Sequence, residues 1–298
     1  MSKDRVFGIV KGDPTENAPA GMAVSFNFQR YLHDEGNRSG EVADWGYFGS
    51  SLIAIIFSGP DGQASEGCAV LVSPGIAISA KHIFEDRLDE LRNSNITVQG
   101  VSILENDDLL IWDILEFSAS DSDIAILRLR LRSDFPAEGI SCVEMTTRTP
   151  VIGEQIMFAG LRSPTHVAHG EPVGLQLRVG IGETSAIYPE GRDRVMIPHA
   201  CIEVKCLTIG GMSGGPVFDK NGHLLGILTS SIEDEQGPSY CSLWLPMATH
   251  AITEVWLKGS VPVPTNLLNL ANARLAKIIG LEAVKVNIDG SFEWAVWH

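Results

Sequence analysis

The 298-residue chain is short of positive charge: 22 Lys and Arg stand against 37 Asp and Glu, a formal net charge of −15. Such a surface repels phosphate backbones, so nucleic acid is not expected as a partner. Long apolar runs are missing as well. The longest, such as Leu52 to Phe57, falls far below the roughly 20 residues that span a bilayer, so neither a transmembrane helix nor a membrane partner is expected. The opening Met-Ser-Lys-Asp-Arg, followed by Gly, Asp, Pro and Glu, holds no apolar stretch of signal-peptide length, which reads as a cytoplasmic protein. Cysteine is scarce. Cys68, Cys142, Cys201, Cys206 and Cys241 are odd in number and widely spaced, which argues against a disulfide framework and for buried free thiols in a reducing compartment. No further Cys or His joins Cys201 and Cys206 at zinc-finger spacing, so no metal and no other cofactor is expected.

What the chain does have is a succession of short β-branched runs broken by Gly, Pro, Asn and Asp, the pattern of an all-β sandwich or barrel protein. The runs fall at 51–58, 68–73, 76–79, 96–103, 109–117 and 123–131, then at 153–160, 174–187, 194–206, 216–218, 224–230 and 241–246. Between the two groups, 132–150 mixes Pro, Gly and polar residues and reads as an internal boundary. Apolar residues at helical spacing predict helices over 247–258 and 266–279, each with a glycine just past its end. Two alternating runs around Asp289-Gly290 predict a hairpin. The expected organisation is an N-terminal extension at 1–45, a first β-barrel at 46–135, a second barrel with a C-terminal helix at 136–258, and a helix-plus-hairpin extension at 259–298.

The chemistry concentrates at three places. Gly210-Gly211-Met212-Ser213-Gly214-Gly215-Pro216 sets a serine among glycines, where backbone N–H groups can turn inward toward a developing oxyanion. A serine hydroxyl needs a base, and Ser79-Ala80-Lys81-His82 places an imidazole just after an apolar strand. Asp123 heads the apolar run Ile-Ala-Ile-Leu, an expensive position for a charge unless a donor meets it. Its neighbour Asp121 is the alternative carboxylate.

These motifs, SAKH around His82, SDIAILRL around Asp123 and GGMSGGPV around Ser213, resemble those of the chymotrypsin-like (trypsin-like) serine proteases, in particular the bacterial branch without zymogen activation. The order His, Asp, Ser matches, with 41 residues between the first pair and 90 between the second. The resemblance covers about 46–258 and implies two six-stranded antiparallel β-barrels with a peptide-binding cleft between them. It implies a serine endopeptidase acting on a protein or peptide substrate: Ser213 as nucleophile, His82 as general base and then acid, Asp123 as its orienting carboxylate, and the N–H groups of Gly211 and Ser213 as oxyanion hole. It further implies Leu207 at the base of the specificity pocket, favouring an apolar or small P1 side chain. Thr229 would support the aspartate, and Thr229, Ser230 and Ser231 would pair with substrate as an edge strand.

The chain also departs from the pattern. Met212 stands where zymogen-activated relatives carry an aspartate, and Ile83 follows the histidine where secreted members carry a cysteine, so control is expected from a regulatory protein partner or from the extensions acting on the loop at 207–212. Two other readings compete. Gly211-Met212-Ser213-Gly214-Gly215 fits the G-x-S-x-G elbow of α/β-hydrolase esterases, with Asp234 and His250 following in the order that fold requires, although Asp219-Lys220-Asn221-Gly222 reads as a hairpin turn where a helix is needed. A catalytically inactive peptide-binding module on the protease fold is the other. Glu105 to Asp108 and Glu233 to Glu235 read as solvated turns and not calcium loops, His166 and His169 lack a third ligand, and Trp294 and Trp297 read as packed hairpin aromatics.

Overall fold

The computed structural model describes residues 12–17, 24–32, 40–41, 46–163, 167–168, 171, 173–231, 238–287 and 292–294. Two short strands, β1 (Phe26–Gln29) and β2 (Gly40–Glu41), precede the first barrel. That barrel comprises β3 (Leu52–Gly59), β4 (Gly62–Ser73), β5 (Ile76–Ala80), β6 (Thr97–Ile103), β7 (Leu109–Ala119) and β8 (Ile124–Leu131), closed in the order β3-β4-β5-β8-β7-β6. After β9 (Ile140–Thr146) come β10 (Gln155–Arg162), β11 (Gln176–Tyr188), β12 (Cys201–Lys205), β13 (Pro216–Phe218), β14 (Leu224–Ser231) and β15 (Ser239–Leu243). Pairing of β14 with β15 closes these six into a second antiparallel ring, β10-β11-β12-β15-β14-β13. The two barrels expected from the strand pattern are both present.

Sequence explains much of this arrangement. The run Leu52 to Phe57 is buried on both faces, as a continuous apolar strand must be, because β3 and β4 face the first barrel's interior on one side and pack against β10 on the other. Tight β3-β6 packing is possible because Gly100 leaves room for Ile53 and Trp112, whose indole N–H donates to Ser102 Oγ at 3.1 Å. All five cysteines are buried and unpaired, as their spacing predicts. Among the described residues no helix is long and apolar enough to cross a membrane.

Three expectations are corrected. The segment 132–150 contains β9, which pairs in parallel with β1, with β14 and with β16 (Lys277–Ile279). Residues 247–258 form no helix: a 3-10 turn at Leu245–Met247 leads into irregular chain bridged at Ile252↔Thr265. Ile252, Val255 and Trp256 are buried at helical spacing, but each docks onto the body separately. The Trp256 indole N–H donates to Leu129 O at 3.0 Å, and the Asp13 carboxylate accepts from the amides of Leu257 and Lys258. Last, β12 is shorter than 194–206, because Asp193 Oδ1 accepts from the amides of Val195 and Met196 at 2.9 and 2.6 Å and holds that part as a turn.

The helix expected over 266–279 is confined to Leu267–Asn272, capped by Asn266, whose side-chain oxygen accepts from Asn269 N at 2.9 Å. Leu267, Leu268 and Leu270 enter the main core, so this segment is integral to the fold. The closing hairpin pairs β17 (Val284–Val286) with β18 (Phe292–Trp294). Its turn at Asp289-Gly290, and likewise His166, His169, Asp234 and Trp297, lie outside the described residues.

Candidate active site

β5 delivers His82: the strand ends at Ala80, and His82 opens the one-turn helix His82–Glu85. Asp123 immediately precedes β8, which pairs with β5 so that Ala80 faces Ile124. The register sets the two side chains side by side. Asp123 Oδ2 lies 2.7 Å from His82 Nδ1, while Oδ1 accepts from the backbone N–H of His82 at 3.0 Å. A carboxylate held this way defines the ring's orientation and assigns the Nδ1 proton, leaving Nε2 as the acceptor. Burial pulls the His82 pKa down, but the hydrogen bond and charge of Asp123, with Asp86 and Glu85 behind it, raise it above the ordinary 6.5 on balance.

Ser213 arrives from the second barrel on the loop between β12 and β13, and this loop is pressed against the first barrel. Cys68 N–H, on β4, donates to Ser213 O at 2.7 Å. A side chain at Gly67 would meet Ser213 O at 3.0 Å and also run into Ile83, so one glycine separates the serine's backbone from the residue next to His82. Gly214, at φ +78°, sits directly over Cys68 O and Ser79 Oγ; a Cβ there would come within 2.6 Å of that hydroxyl. Among the described residues no hydrogen bond joins Ser213 Oγ to the imidazole, and neither Gly211 N–H nor Ser213 N–H donates to a protein acceptor. Of the amides around them, Met212 N donates to Ile209 O (3.2 Å), Gly214 N to Leu228 O (2.7 Å) and Gly215 N to Met212 O (2.9 Å).

The remaining expected residues occupy the second barrel. Leu207 is about half exposed at 47% and brings no charge. Thr229, Ser230 and Ser231 end β14, beyond the stretch Leu224 to Ile227 that pairs with β13, so one edge of these residues has no strand against it among the described residues. The Thr229 hydroxyl, expected beside Asp123, instead donates to Tyr240 O at 3.4 Å and accepts from Ser242 Oγ at 3.1 Å. Ser242 Oγ in turn lies 2.6 Å from Nε2 of His199. His199 lines a cavity of about 520 Å3 together with His250 and with Ser120, Asp121 and Ser122 of the loop ahead of Asp123. Burial lowers its pKa, with the charge of Asp123 acting in the opposite sense. Sequence reasoning missed His199, read as part of a strand, and missed Cys68, read only as a thiol without a disulfide partner.

The family described as trypsin-like peptidase domain matches residues 67–227, a span that contains His82, Asp123 and Ser213. No curated protein sequence matches the chain. Among solved structures, Deg5 is similar at 16% identity and a TM-score of 0.47, covering 68% of this chain and 87% of its own. The HtrA-type protease AlgW with a decapeptide is similar at 16% identity and 0.46, covering 67% and 62%. The inactive form of the Rv3671c protease is similar at 15% identity and 0.43, covering 65% and 83%.

Proposed function

The chain belongs to the trypsin-like peptidase domain family, and from that membership we propose that it is a serine endopeptidase working through His82, Asp123 and Ser213. The observation that carries this reading is the two-point grip of Asp123 on His82, through Nδ1 and through the backbone N–H, inside the family-matched span. In the proposed reaction His82 Nε2 takes the Ser213 proton as Oγ attacks the scissile carbonyl, and Asp123 stabilises the resulting imidazolium. The oxyanion accepts from the amides of Gly211 and Ser213, neither of which donates to a protein acceptor among the described residues. His82 then gives its proton to the leaving amine, and a water activated by the same nitrogen hydrolyses the acyl-enzyme. An extended substrate adds to the uncovered edge of Thr229 to Ser231, and the uncharged Leu207 favours an apolar or small P1 side chain.

The missing Ser213–His82 hydrogen bond favours a second reading, a peptide-binding module without turnover, although such bonds commonly tighten only with substrate bound. One experiment separates the two. The full-length protein is exposed to a fluorophosphonate probe beside Ser213→Ala and His82→Ala, and any adduct is located by peptide mass. Labelling of the wild type at Ser213, lost in both variants, is the expected result. A wild type that stays unlabelled leaves the binding module as the better account.

A further inference from the structure

We propose that Cys68 is a positioning residue of the oxyanion site: its amide and its thiol hold the carbonyls of Ser213 and Gly211, and thereby aim the Ser213 N–H, whose peptide lies between the two that Cys68 holds. This inference rests on the peptidase reading above. Cys68 is completely buried on β4, at the seam where the first barrel meets β10 and the serine loop of the second. Its N–H donates to Ser213 O at 2.7 Å, its carbonyl accepts from Ser79 Oγ at 2.6 Å, and its sulfur lies 3.4 Å from Gly211 O and 3.2 Å from both the nitrogen and the oxygen of Leu161.

A thiol has a single proton to give, and the competing acceptors decide where it is needed. Leu161 O has a second donor, Ser65 Oγ at 3.5 Å. Among the described residues Gly211 O has none besides Cys68 Sγ. Burial pushes the thiol pKa up to about 12, so the group stays protonated, and a donor, throughout the neutral range.

The consequence lies in the alternation of peptide groups along the loop. The peptide joining Gly211 to Met212 is held at both ends, its carbonyl by the Cys68 thiol and its N–H by Ile209 O. The peptide joining Ser213 to Gly214 is also held at both ends, by Cys68 N and by Leu228 O. The peptide between these two joins Met212 to Ser213 and carries the Ser213 N–H, which donates to no protein acceptor among the described residues, so its direction is set by the clamped peptides on either side. Gly211, at φ +89°, has no side chain to resist rotation. Without the thiol its part-buried carbonyl has no donor among the described residues, and the lowest-cost response is for the peptide to turn toward water. That rotation turns the Met212–Ser213 peptide that follows it and swings the Ser213 N–H away from the substrate oxygen.

The test compares full-length wild type, Cys68→Ala, Cys68→Val and Cys68→Ser in three measurements: the second-order rate of fluorophosphonate labelling at Ser213, its pH midpoint, and the thermal unfolding midpoint. Alanine and valine both remove the donor but pack differently, whereas serine restores a donor. Removing one oxyanion donor outright costs about a hundredfold or more, so indirect misaiming is expected to slow labelling at least about tenfold in both Ala and Val, with Ser within about threefold of wild type. The pH midpoint, which reports His82, is expected to stay in place in all four. Two results overturn the proposal: Ala and Val labelled at the wild-type rate, or rates that follow the thermal midpoints with Ser as slow as Ala. If Ala fails to fold, Val and Ser still decide between donor and packing. A wild type that does not label at all overturns the peptidase reading itself, an outcome separate from either of these.

Discussion

Replacing Asp123 by Asn changes one atom in a group that makes two contacts, and the contacts respond differently. Asn Oδ1 still accepts from the His82 backbone N–H, now 3.0 Å away, so the helix start at His82 keeps its anchor. The other contact, 2.7 Å to Nδ1, reverses sense, because the amide NH2 donates and forces Nδ1 to accept. The ring proton then moves to Nε2, the nitrogen that must receive the Ser213 proton. In Ser-His-Asp sites generally this exchange of tautomer lowers the rate by about 10^4, and at 1.36 kcal/mol per decade that is about 5.4 kcal/mol of lost transition-state stabilisation. The fold loses far less, about 1 kcal/mol for one altered hydrogen bond. The pH behaviour moves as well. His82 in the wild type titrates above 6.5 because Asp123 overcomes the effect of burial; in the variant burial acts without that opposition, and the midpoint falls. The raised value also means that the protonated wild type gains stability below 6.5 and loses it as pH rises through the folded pKa, a dependence the variant lacks. Fluorophosphonate labelling rates at neutral pH, their pH profiles, and urea unfolding at matched pH values measure all three. Labelling of the variant within tenfold of wild type at pH 7, or an unmoved midpoint, refutes the assignment of Asp123 as the tautomer-setting group.

Two further outcomes concern the scaffold. Arg148 is buried with Glu154 and Asp219, donating to Glu154 Oε2 at 2.7 Å and Asp219 Oδ2 at 2.9 Å. Removing one partner of such a group strands buried charge, so Arg148→Met is expected to lose about 3–5 kcal/mol in urea unfolding at pH 7, and a loss below about 1 kcal/mol contradicts this account. Gly214→Ala places a Cβ against Cys68 O and Ser79 Oγ at a left-handed φ; about 1–2 kcal/mol of backbone strain and about 1–3 of overpacking add in unfolding experiments, and labelling at Ser213 is expected to vanish.

The first barrel was legible almost strand by strand because its strands are apolar-rich runs separated by clear breakers, as in Leu52 to Phe57, buried on both faces and followed by Gly59-Pro60-Asp61-Gly62. β9 was hidden because Ile140 to Thr146 carries Ser141 and Glu144 inside a Pro- and Gly-containing stretch. Glu144 is tolerated in a buried strand through Lys277 Nζ, 2.7 Å away and 133 residues later. No local pattern reports so distant a partner. The false helix at 247–258 has a related cause: apolar residues at spacings of three and four record burial, and irregular chain pinned by Trp256 and Asp13 buries the same side chains. At the candidate site, residue types and order pointed to His82, Asp123 and Ser213, since each motif is local. What Cys68 and His199 touch depends on which groups the two barrels press together, and that is a property of the packed interface.

β9 takes β1 along residues 140–143 and β16 along 144–146, both in parallel and both from more than a hundred residues away in the chain. A parallel pairing gains nothing until the loop that separates its strands has been closed, so neither contact can help nucleate folding. The barrels must condense first, and the two flanking segments then settle onto an edge already formed. Folding measured by a probe near Glu144 and Lys277 should therefore lag behind collapse of the barrel cores, and for that interval the molecule carries an open strand edge, the surface on which partly folded β-proteins associate.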